Sequence, residues 1–403
     1  MDETSAAANA FKFGGVVFSL LRRYPSLLIR QGAVLRVESW FPVTSTQRTI
    51  GCTHSLSFFP SNLFFFFENM SSLRWFDIVC PAFAAVASAC AILLSRRQNQ
   101  QVTRGVRTAV RAVNYHLTRQ CNYECRFCFH TAKSSHVATR DEAKSCLKML
   151  ADAGMEKINF AGGEPLLVGP LLGELCRYCK VELKQVVSIV TNGSKLNASW
   201  MDSFARYVDI VALSCDSADS DTNVRIGRRD RNTGKTEPQV EVLRRVAGLC
   251  ETYQVKLKIN TVVCSENANE DMNALIDEVK PFRWKVFQVL KVDGENAGGA
   301  DLRDVNGLLI TTDQFRDFQA RHRRQVSMVV EDNETMRNSY LMLDEHLCLL
   351  DNSGGAKRQS PCVLAVGVAA AVANVLFDAT AFERRNGDFF ADLKDIEDFG
   401  TAE

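Results

Sequence analysis

Six short runs of apolar and β-branched residues recur along the chain, and segments with helical periodicity separate them. We predict strands at Val113 to Leu117, Lys157 to Phe160, Val186 to Thr191, Ile210 to Ser214, Lys256 to Val263 and Trp284 to Val292. The intervening helices include Thr139 to Ala153, which begins with a capping box, and Pro238 to Tyr253. Strands that alternate with helices form parallel sheets. The pattern therefore predicts an α/β fold, either a partial (βα)6 TIM-like barrel or a doubly wound sheet.

The regularity of this pattern divides the chain into four predicted parts. Residues 1–69 are rich in phenylalanine and contain a long acid-free stretch, which resembles an organelle transit peptide. The alternatives are leader sequence upstream of a true start at Met70, and a separate domain. Residues 70–98 contain an uncharged run, and residues 99–307 carry the strand and helix pattern of the barrel. Residues 308–403 have a looser pattern of helical segments and turns. We expect them to form a C-terminal extension that covers the open side of the sheet and completes a substrate pocket.

Overall charge and cysteine content exclude two classes of protein. The chain has 48 Lys and Arg residues against 47 Asp and Glu residues, a net charge of +1. This balance removes the usual electrostatic argument for nucleic-acid binding, so we predict no direct nucleic-acid partner. Its 14 cysteines among 403 residues are too sparse for a disulfide framework.

Three of these cysteines, Cys121, Cys125 and Cys128, are spaced C-x3-C-x2-C directly after the first predicted strand. Ligands of parallel α/β folds bind at the carboxyl ends of strands. Three thiolates on one loop can ligate three irons of a [4Fe–4S] cluster and leave the fourth iron open. A closed zinc site that adds His130 as fourth ligand is the alternative.

The loop CNYECRFC, with Phe127 before its last cysteine, resembles the cluster loop of radical S-adenosylmethionine (SAM) enzymes. A GGEP segment follows the second predicted strand, and polar residues follow the third and fourth strands. The resemblance implies that these residues contact SAM, the GGEP segment through the methionine amino group. The implied SAM residues are Gly162, Gly163, Glu164, Thr191, Asn192, Ser214 and Asp216.

Over most of Asn114 to Asp344 the chain resembles one radical SAM family, the viperins. The segments that carry the resemblance are NYHLTRQCNYECRFCFHTAK, FAGGEPLL, LSCDS, KLKIN, RWKVFQVLKVDGEN and NSYLMLDE. The resemblance implies a partial (βα)6 barrel with a [4Fe–4S] cluster and SAM as cofactors. It implies cleavage of SAM to a 5′-deoxyadenosyl radical and conversion of CTP to the antiviral chain terminator 3′-deoxy-3′,4′-didehydro-CTP. The alanine-rich segment Leu364 to Asn374 departs from the viperin pattern.

Polar and apolar residues alternate along the last two predicted strands. Within Lys256 to Val263, Lys258 and Asn260 alternate with apolar residues, and Arg283 and Lys285 continue this pattern on the next strand. Helices cover the apolar face, so these cations point toward the enclosed side of the sheet and predict an anionic ligand. Alternatively, they reach solvent or pair with acids of the C-terminal region.

The viperin resemblance implies a nucleoside triphosphate at Lys258, Asn260, Arg283 and Lys285. It also implies that Tyr340 is an active-site residue that contacts the substrate; alternatively, Tyr340 is a core aromatic residue of an amphipathic helix. Two other hypotheses remain at this stage. The chain could act on another nucleotide or a cofactor precursor, or it could be a non-catalytic, membrane-localised scaffold.

Localisation and further partners rest on the two ends of the chain. Ile78 to Leu94 is uncharged and is followed by arginines, which predicts a membrane-associating helix whose arginines lie on the cytosolic side. We therefore expect the protein to localise to the cytosolic face of the endoplasmic reticulum membrane or to lipid droplets. Organelle targeting by the leader and a secretory signal are the alternatives. An electron donor is an expected partner. Viperins recruit iron–sulfur assembly factors through a C-terminal tryptophan, which Asp398 to Glu403 lacks, so that partnership does not follow from the resemblance.

Overall fold

The computed structural model describes residues 91–98, 100, 103–231 and 237–385. The predicted leader and most of the predicted membrane-associating helix lie outside these residues. A helix at 91–98 includes the last part of the uncharged run, and a second helix covers 103–110. None of the helices in the described part of the chain has the length and hydropathy that a membrane span requires.

Ten strands form one sheet, and most of the helices alternate with the first seven strands. The strands are β1 (Ala112–His116), β2 (Lys157–Ala161), β3 (Val186–Thr191), β4 (Ile210–Ser214), β5 (Lys256–Val263), β6 (Arg283–Gln288), β7 (Met328–Glu331), β8 (Leu341–Leu343), β9 (Cys348–Asp351) and β10 (Arg358–Cys362). The helices are α1 (Arg140–Asp152), α2 (Gly169–Arg177), α3 (Ala198–Phe204), α4 (Ser220–Ile226), α5 (Gln239–Thr252), α6 (Asn273–Val279), α7 (Thr312–Arg321), α8 (Asn333–Met336), α9 (Val363–Val366), α10 (Val368–Val372) and α11 (Ala379–Arg384).

The strand order is β10-β9-β8-β1-β2-β3-β4-β5-β6-β7. Strands β1 to β7 are parallel neighbours, and β8 adds a further parallel strand beside β1. Strands β9 and β10 continue the sheet in antiparallel pairs. In the described residues β7 and β8 do not pair with each other, so the parallel sheet is not closed. The predicted α/β fold with a mostly parallel sheet is confirmed.

The predicted secondary structure of the C-terminal extension was wrong in one respect. Residues 308–403 were expected to form helical segments and turns, but they supply β7, β8, β9 and β10 and extend both edges of the sheet. These strands have only three to five residues. Runs this short carry little periodicity, and their pairing with β1 and β6 depends on residues far away in sequence.

The predicted strands within the barrel agree closely with the observed ones. β3, β4 and β5 have the predicted bounds, whereas β6 ends at Gln288 rather than at Val292. Helix α1 begins with the predicted capping box, in which Thr139 and Glu142 bond each other's backbone N–H groups. A two-residue period separates the faces of the sheet: Ile259 and Trp284 join the core under the helices, while Lys258 lines a cavity on the opposite face.

Candidate active site

A cavity of about 740 Å³ runs along the enclosed face of the sheet. The three cysteines of the predicted cluster loop border it near the carboxyl end of β1, and lysines of β2, β5 and β6 border it nearer the amino ends of their strands. Among the described residues, its wall includes ten Lys and Arg side chains but no Asp or Glu side chain. These cations are Arg119, Lys157, Arg228, Arg231, Lys258, Lys285, Lys291, Arg303, Arg337 and Arg385. A cavity with this lining favours an anionic ligand.

The cysteine loop brings three free thiols to one side of the cavity. Cys121, Cys125 and Cys128 are all partly buried and without disulfide partners. The Tyr123 N–H donates to Cys121 Sγ at 3.3 Å. Burial raises the pKa of the Cys121 thiol to about 12 and that of Cys125 to about 11. In this environment the thiolate needs a compensating positive charge, which iron ligation supplies.

Gly162 and Gly163 hold the GGEP segment directly against the start of the cysteine loop. A Cβ on Gly163 would lie 2.2 Å from the Gln120 carbonyl oxygen, and one on Gly162 would lie 2.3 Å from that of Thr118. Gly163 N–H donates to the Thr118 carbonyl at 2.7 Å. Gly162 has a φ of +137°, a backbone conformation that residues other than glycine rarely adopt. Both glycines border the cavity, so close backbone packing and exposure to a ligand occur in the same two residues.

Glu164 is fully buried and does not border the cavity. Its carboxylate accepts hydrogen bonds from the Thr191 hydroxyl and the Asn192 N–H, both at 2.8 Å, and from the Leu166 N–H at 3.1 Å. Burial raises the pKa of Glu164 to about 7, against the opposing effect of these donors. The carboxylate therefore positions Thr191 and Asn192, which do border the cavity.

Asp216 is likewise fully buried and outside the cavity wall. Its carboxylate pairs with Arg228 and accepts the Val262 N–H at 2.9 Å. The Arg228 guanidinium lies 5.8 Å from the centre of the Phe127 ring, beside the cysteine loop, and borders the cavity together with Ser214. The charge that a ligand meets at this position is therefore that of Arg228, which no sequence pattern indicated.

The cationic end of the cavity is organised around one buried carboxylate. Glu331 pairs with Lys285 and accepts a hydrogen bond from the Tyr340 hydroxyl. Lys285 donates to the same hydroxyl at 3.1 Å, and the Arg385 guanidinium lies 3.7 Å from the centre of the Tyr340 ring. Burial lowers the pKa of Lys285 to about 8, although Glu331 opposes this shift. Burial, followed by the charges of Lys285 and Lys157, holds the pKa of Lys258 well below its ordinary value.

The structure places most of the predicted substrate residues on the cavity wall. Lys258, Asn260, Lys285 and Tyr340 border it, whereas Arg283 does not. Sequence reasoning missed other residues of this wall, among them Lys157, Arg385 and Asn114. Lys157 is the first residue of β2, on the same face as Asn159, so the two-residue period applied to β2 could have indicated it.

A buried ionic network encloses the cysteine loop on its outer side. Glu295 is 2% exposed and accepts hydrogen bonds from the Thr131 hydroxyl at 2.6 Å, the Thr131 N–H at 2.9 Å and Arg119 at 3.0 Å. Lys357 lies 3.6 Å from the same carboxylate, and Arg119 also pairs with Glu345 at 3.0 Å. Arg119 precedes the three cysteines and Thr131 follows them, so one carboxylate connects both ends of the loop.

The three thiols on the cavity wall fit the predicted [4Fe–4S] cluster. Among the described residues, no three His, Cys, Asp or Glu side chains converge where a single metal ion could be held. His130, the fourth ligand of the alternative zinc site, has its Nδ1 3.0 Å from Lys357 Nζ. A [4Fe–4S] cluster takes each thiolate at a different iron, which matches three thiols spread along one loop.

Three relatives show how closely this chain resembles known proteins. An S-adenosylmethionine-dependent nucleotide dehydratase RSAD2 of Oncorhynchus mykiss is 47% identical over 281 residues, which cover 69% of this chain and 80% of the relative. The protein of that name from Danio rerio is 43% identical over 336 residues, 81% of this chain and 92% of the relative. An S-adenosylmethionine-dependent nucleotide dehydratase of Flammeovirga pacifica is 35% identical over 285 residues, which cover 68% of this chain and 94% of the relative.

Among solved structures, anSMEcpe with bound AdoMet aligns with a TM-score of 0.47 and 16% identity over 68% of this chain and 78% of its own. A similarity this distant carries no further inference.

A model of the radical SAM superfamily matches residues 115–279, from the end of β1 through the cysteine loop to the end of α6. Fold and motif together define the chain as a radical SAM enzyme, with a [4Fe–4S] cluster and SAM as its cofactors. More narrowly, the chain belongs to the family of S-adenosylmethionine-dependent nucleotide dehydratases that includes RSAD2, or viperin. The predicted family membership is confirmed.

Proposed function

We propose that this enzyme binds a nucleoside triphosphate, CTP, in the cavity and converts it to 3′-deoxy-3′,4′-didehydro-CTP. The observation that carries the proposal is the cavity wall, which in the described residues has ten cations and no carboxylate, although buried acids outside the wall pair with some of them, among them Arg119, Arg228 and Lys285. A triphosphate brings about four negative charges near neutral pH, and buried cations such as Lys258 are costly without a counter-charge. The dehydratase activity itself is supported by the names of the relatives.

The residues proposed to hold the cofactors line the part of the cavity next to the carboxyl ends of the strands. Cys121, Cys125 and Cys128 would ligate the cluster, and the backbone of Gly162 and Gly163 would face the methionine part of SAM. Asn192 and Ser214 complete the predicted polar contacts. Arg228 supplies a cation for the methionine carboxylate. When bound, the cluster and SAM supply a 5′-deoxyadenosyl radical that removes a hydrogen atom from the ribose.

The residues proposed to hold the substrate lie nearer the amino ends of β2, β5 and β6. Lys157, Lys258 and Lys285 would bind the triphosphate. The ribose would then lie on the side of the cavity nearer the cysteine loop. Glu331 keeps Lys285 charged and oriented, because it pairs with the ammonium group. Tyr340, whose hydroxyl contacts both of these side chains, is the proposed catalytic residue beside the substrate.

Product analysis with each nucleotide tests this function. Anaerobic incubation of the cluster-loaded enzyme with SAM, dithionite and one nucleoside triphosphate at a time should give a dehydrated product from CTP by mass spectrometry. CMP should be a much poorer substrate than CTP, because it lacks the β- and γ-phosphates. Equal turnover of CMP, or a product from another nucleotide alone, would contradict the proposed substrate.

Lys258→Ala tests the cationic end of the cavity. Removing one partner of a buried charged pair costs about 2 to 5 kcal/mol, so CTP affinity should fall at least roughly thirtyfold. Lys148→Ala is the matched control, because Lys148 is exposed and pairs with Asp152 on the helix surface. SAM binding should change little in either variant.

We further propose that residues 70–98 attach the enzyme to the cytosolic face of the endoplasmic reticulum or of lipid droplets. The support is the uncharged run followed by arginines. A fluorescent fusion without residues 71–94 should lose its membrane association, and continued membrane binding would place the anchor elsewhere.

A further inference from the structure

Three cysteines from different elements meet beside the antiparallel edge of the sheet, outside the cofactor site. Cys348 lies on β9 and Cys362 at the end of β10, and the two residues are direct partners across the strand pair. Cys146 of α1 belongs to the hydrophobic core against which Cys362 packs. Burial raises the pKa of the Cys146 thiol, and the thiols of Cys362 and Cys348 add to this shift. All three are free thiols in the structure.

The strand pairing brings Cys348 and Cys362 opposite each other in a way that favours a disulfide bond. The Val363 N–H donates to the Leu347 carbonyl at 2.9 Å, so the adjacent pair, Cys348 with Cys362, is a non-hydrogen-bonded pair of the ladder. Consistent with this, the Cys348 N–H donates to the Asp344 carboxylate at 2.9 Å instead. The register of the two strands shifts between Gln359 and Cys362, so the pair follows an irregularity in the ladder. Cα atoms of regular non-hydrogen-bonded pairs lie about 4.5 Å apart, within the roughly 4.4 to 6.8 Å that disulfides span.

The two thiols differ in exposure, which assigns them different roles. Cys348 is 9% exposed, and burial, the Asp344 carboxylate and the Cys362 thiol raise its pKa to about 12. Cys362 is only partly buried, so an oxidant in solution reaches this thiol first. Cys146 is fully buried, so it has no route to solvent of its own.

We propose that Cys348 and Cys362 form a redox-active dithiol, which a small disulfide oxidant converts to an intramolecular disulfide across β9 and β10. The Cys362 thiolate attacks one sulfur of the oxidant, and a mixed disulfide forms as the first oxidant thiol leaves. Cys348 gives up its proton and attacks the Cys362 sulfur, and the second oxidant thiol leaves. The chain thereby loses two hydrogen atoms, and the oxidant is reduced to two thiols.

The disulfide would close the base of a hairpin whose connecting segment borders the cavity. Asn352, Ser353 and Gly355 of this segment are on the cavity wall. Lys357, on the same hairpin, donates to the Phe129 carbonyl at 2.6 Å beside the cysteine loop. A covalent bond at the base restricts the opening motions of the hairpin, so backbone amide exchange at residues 352–357 should slow on oxidation.

Anaerobic treatment of the full-length, cluster-loaded enzyme with glutathione disulfide tests the proposal. After alkylation and proteolysis, mass spectrometry should detect a peptide that links Cys348 to Cys362, and dithiothreitol should remove the link. Cys362→Ser should abolish the link and also the slower exchange at residues 352–357. Cys250→Ser is the matched control, because Cys250 is a buried thiol on α5 and should leave both results unchanged. Iron content, measured in parallel, should stay constant, which separates this reaction from loss of the cluster.

Three results would overturn the proposal. One is the absence of a Cys348–Cys362 link under conditions in which glutathione disulfide modifies other thiols of the enzyme. The second is a link from Cys146 to either residue as the main product. The third is equal exchange rates at residues 352–357 in the oxidised and reduced wild-type enzyme. Cys348→Ser provides a second test should Cys362→Ser fail to fold, because it too must abolish the link.

Discussion

Glu295 connects both ends of the cysteine loop, so its replacement should loosen the loop without removing a thiol. Its carboxylate accepts two hydrogen bonds from Thr131, and Arg119 Nη1 donates to both of its oxygens. Lys357 lies 3.6 Å away and the more exposed Lys133 3.9 Å away. Glu295→Gln keeps the size of the side chain and removes its charge. The substitution leaves Lys357 without a counter-charge in this network, whereas Arg119 keeps its ion pair with Glu345.

The size of the effect follows from the burial of this network. Breaking a buried ion pair by removing one partner costs about 3 to 5 kcal/mol. Because Arg119 retains Glu345, we expect the lower end, about 3 kcal/mol. With an unfolding entropy of about 2.1 cal/mol/K per residue, about 290 described residues shift their unfolding midpoint by roughly 1.6 °C per kcal/mol, so the midpoint of Glu295→Gln should fall by about 5 °C.

Two assays check this prediction. The first is thermal unfolding of the protein without cluster, followed by circular dichroism. The second is the rate at which a chelator removes iron from the reconstituted enzyme, which should increase because the loop opens more often. Glu278→Gln is the control, since Glu278 forms an exposed ion pair with Arg244 at 2.6 Å, and solvent screens such surface pairs so that they contribute little to stability. If both variants melt and release iron alike, Glu295 does not hold the loop.

Three further predictions follow from other parts of the site. Gly163→Ala should impair cluster and SAM binding, because its Cβ would lie 2.2 Å from a backbone carbonyl oxygen. The control is Gly248→Ala, whose Cβ would have no neighbour within 4 Å; in thermal unfolding it should be neutral or stabilise the protein by up to about 1 kcal/mol. CTP affinity measured by calorimetry should fall as pH rises from about 7 to 9, because burial lowers the pKa of Lys285 to about 8 and its ammonium group loses charge above that value; a pH-independent affinity would contradict this. Glu164→Gln should destabilise the protein by about 1 to 3 kcal/mol and weaken SAM binding, because an amide NH2 group would face donors such as the Asn192 N–H; unchanged SAM affinity would refute a positioning role.

The sequence by itself determined the features that depend on local spacing. The capping box of α1 follows from the three-residue interval between Thr139 and Glu142. The bounds of β3 to β5, and the face of β5 that carries Lys258, follow from runs of strand-forming residues and their two-residue period. The cysteine spacing likewise defines the loop, because three thiols within eight residues are close in any fold. For these features, the partners lie within a few residues of one another along the chain.

Only the tertiary structure decided which polar groups meet across the sheet. Glu164 and Asp216 were both predicted to contact SAM; in the structure Glu164 bonds the Asn192 N–H, Asp216 pairs with Arg228, and neither side chain borders the cavity. Glu295 meets Arg119 across 176 positions of sequence, a contact that no local pattern encodes. The physical reason is that a parallel sheet joins strands separated by whole helices, so the direction of a side chain beyond a strand end depends on neighbouring strands and loops that are distant in sequence.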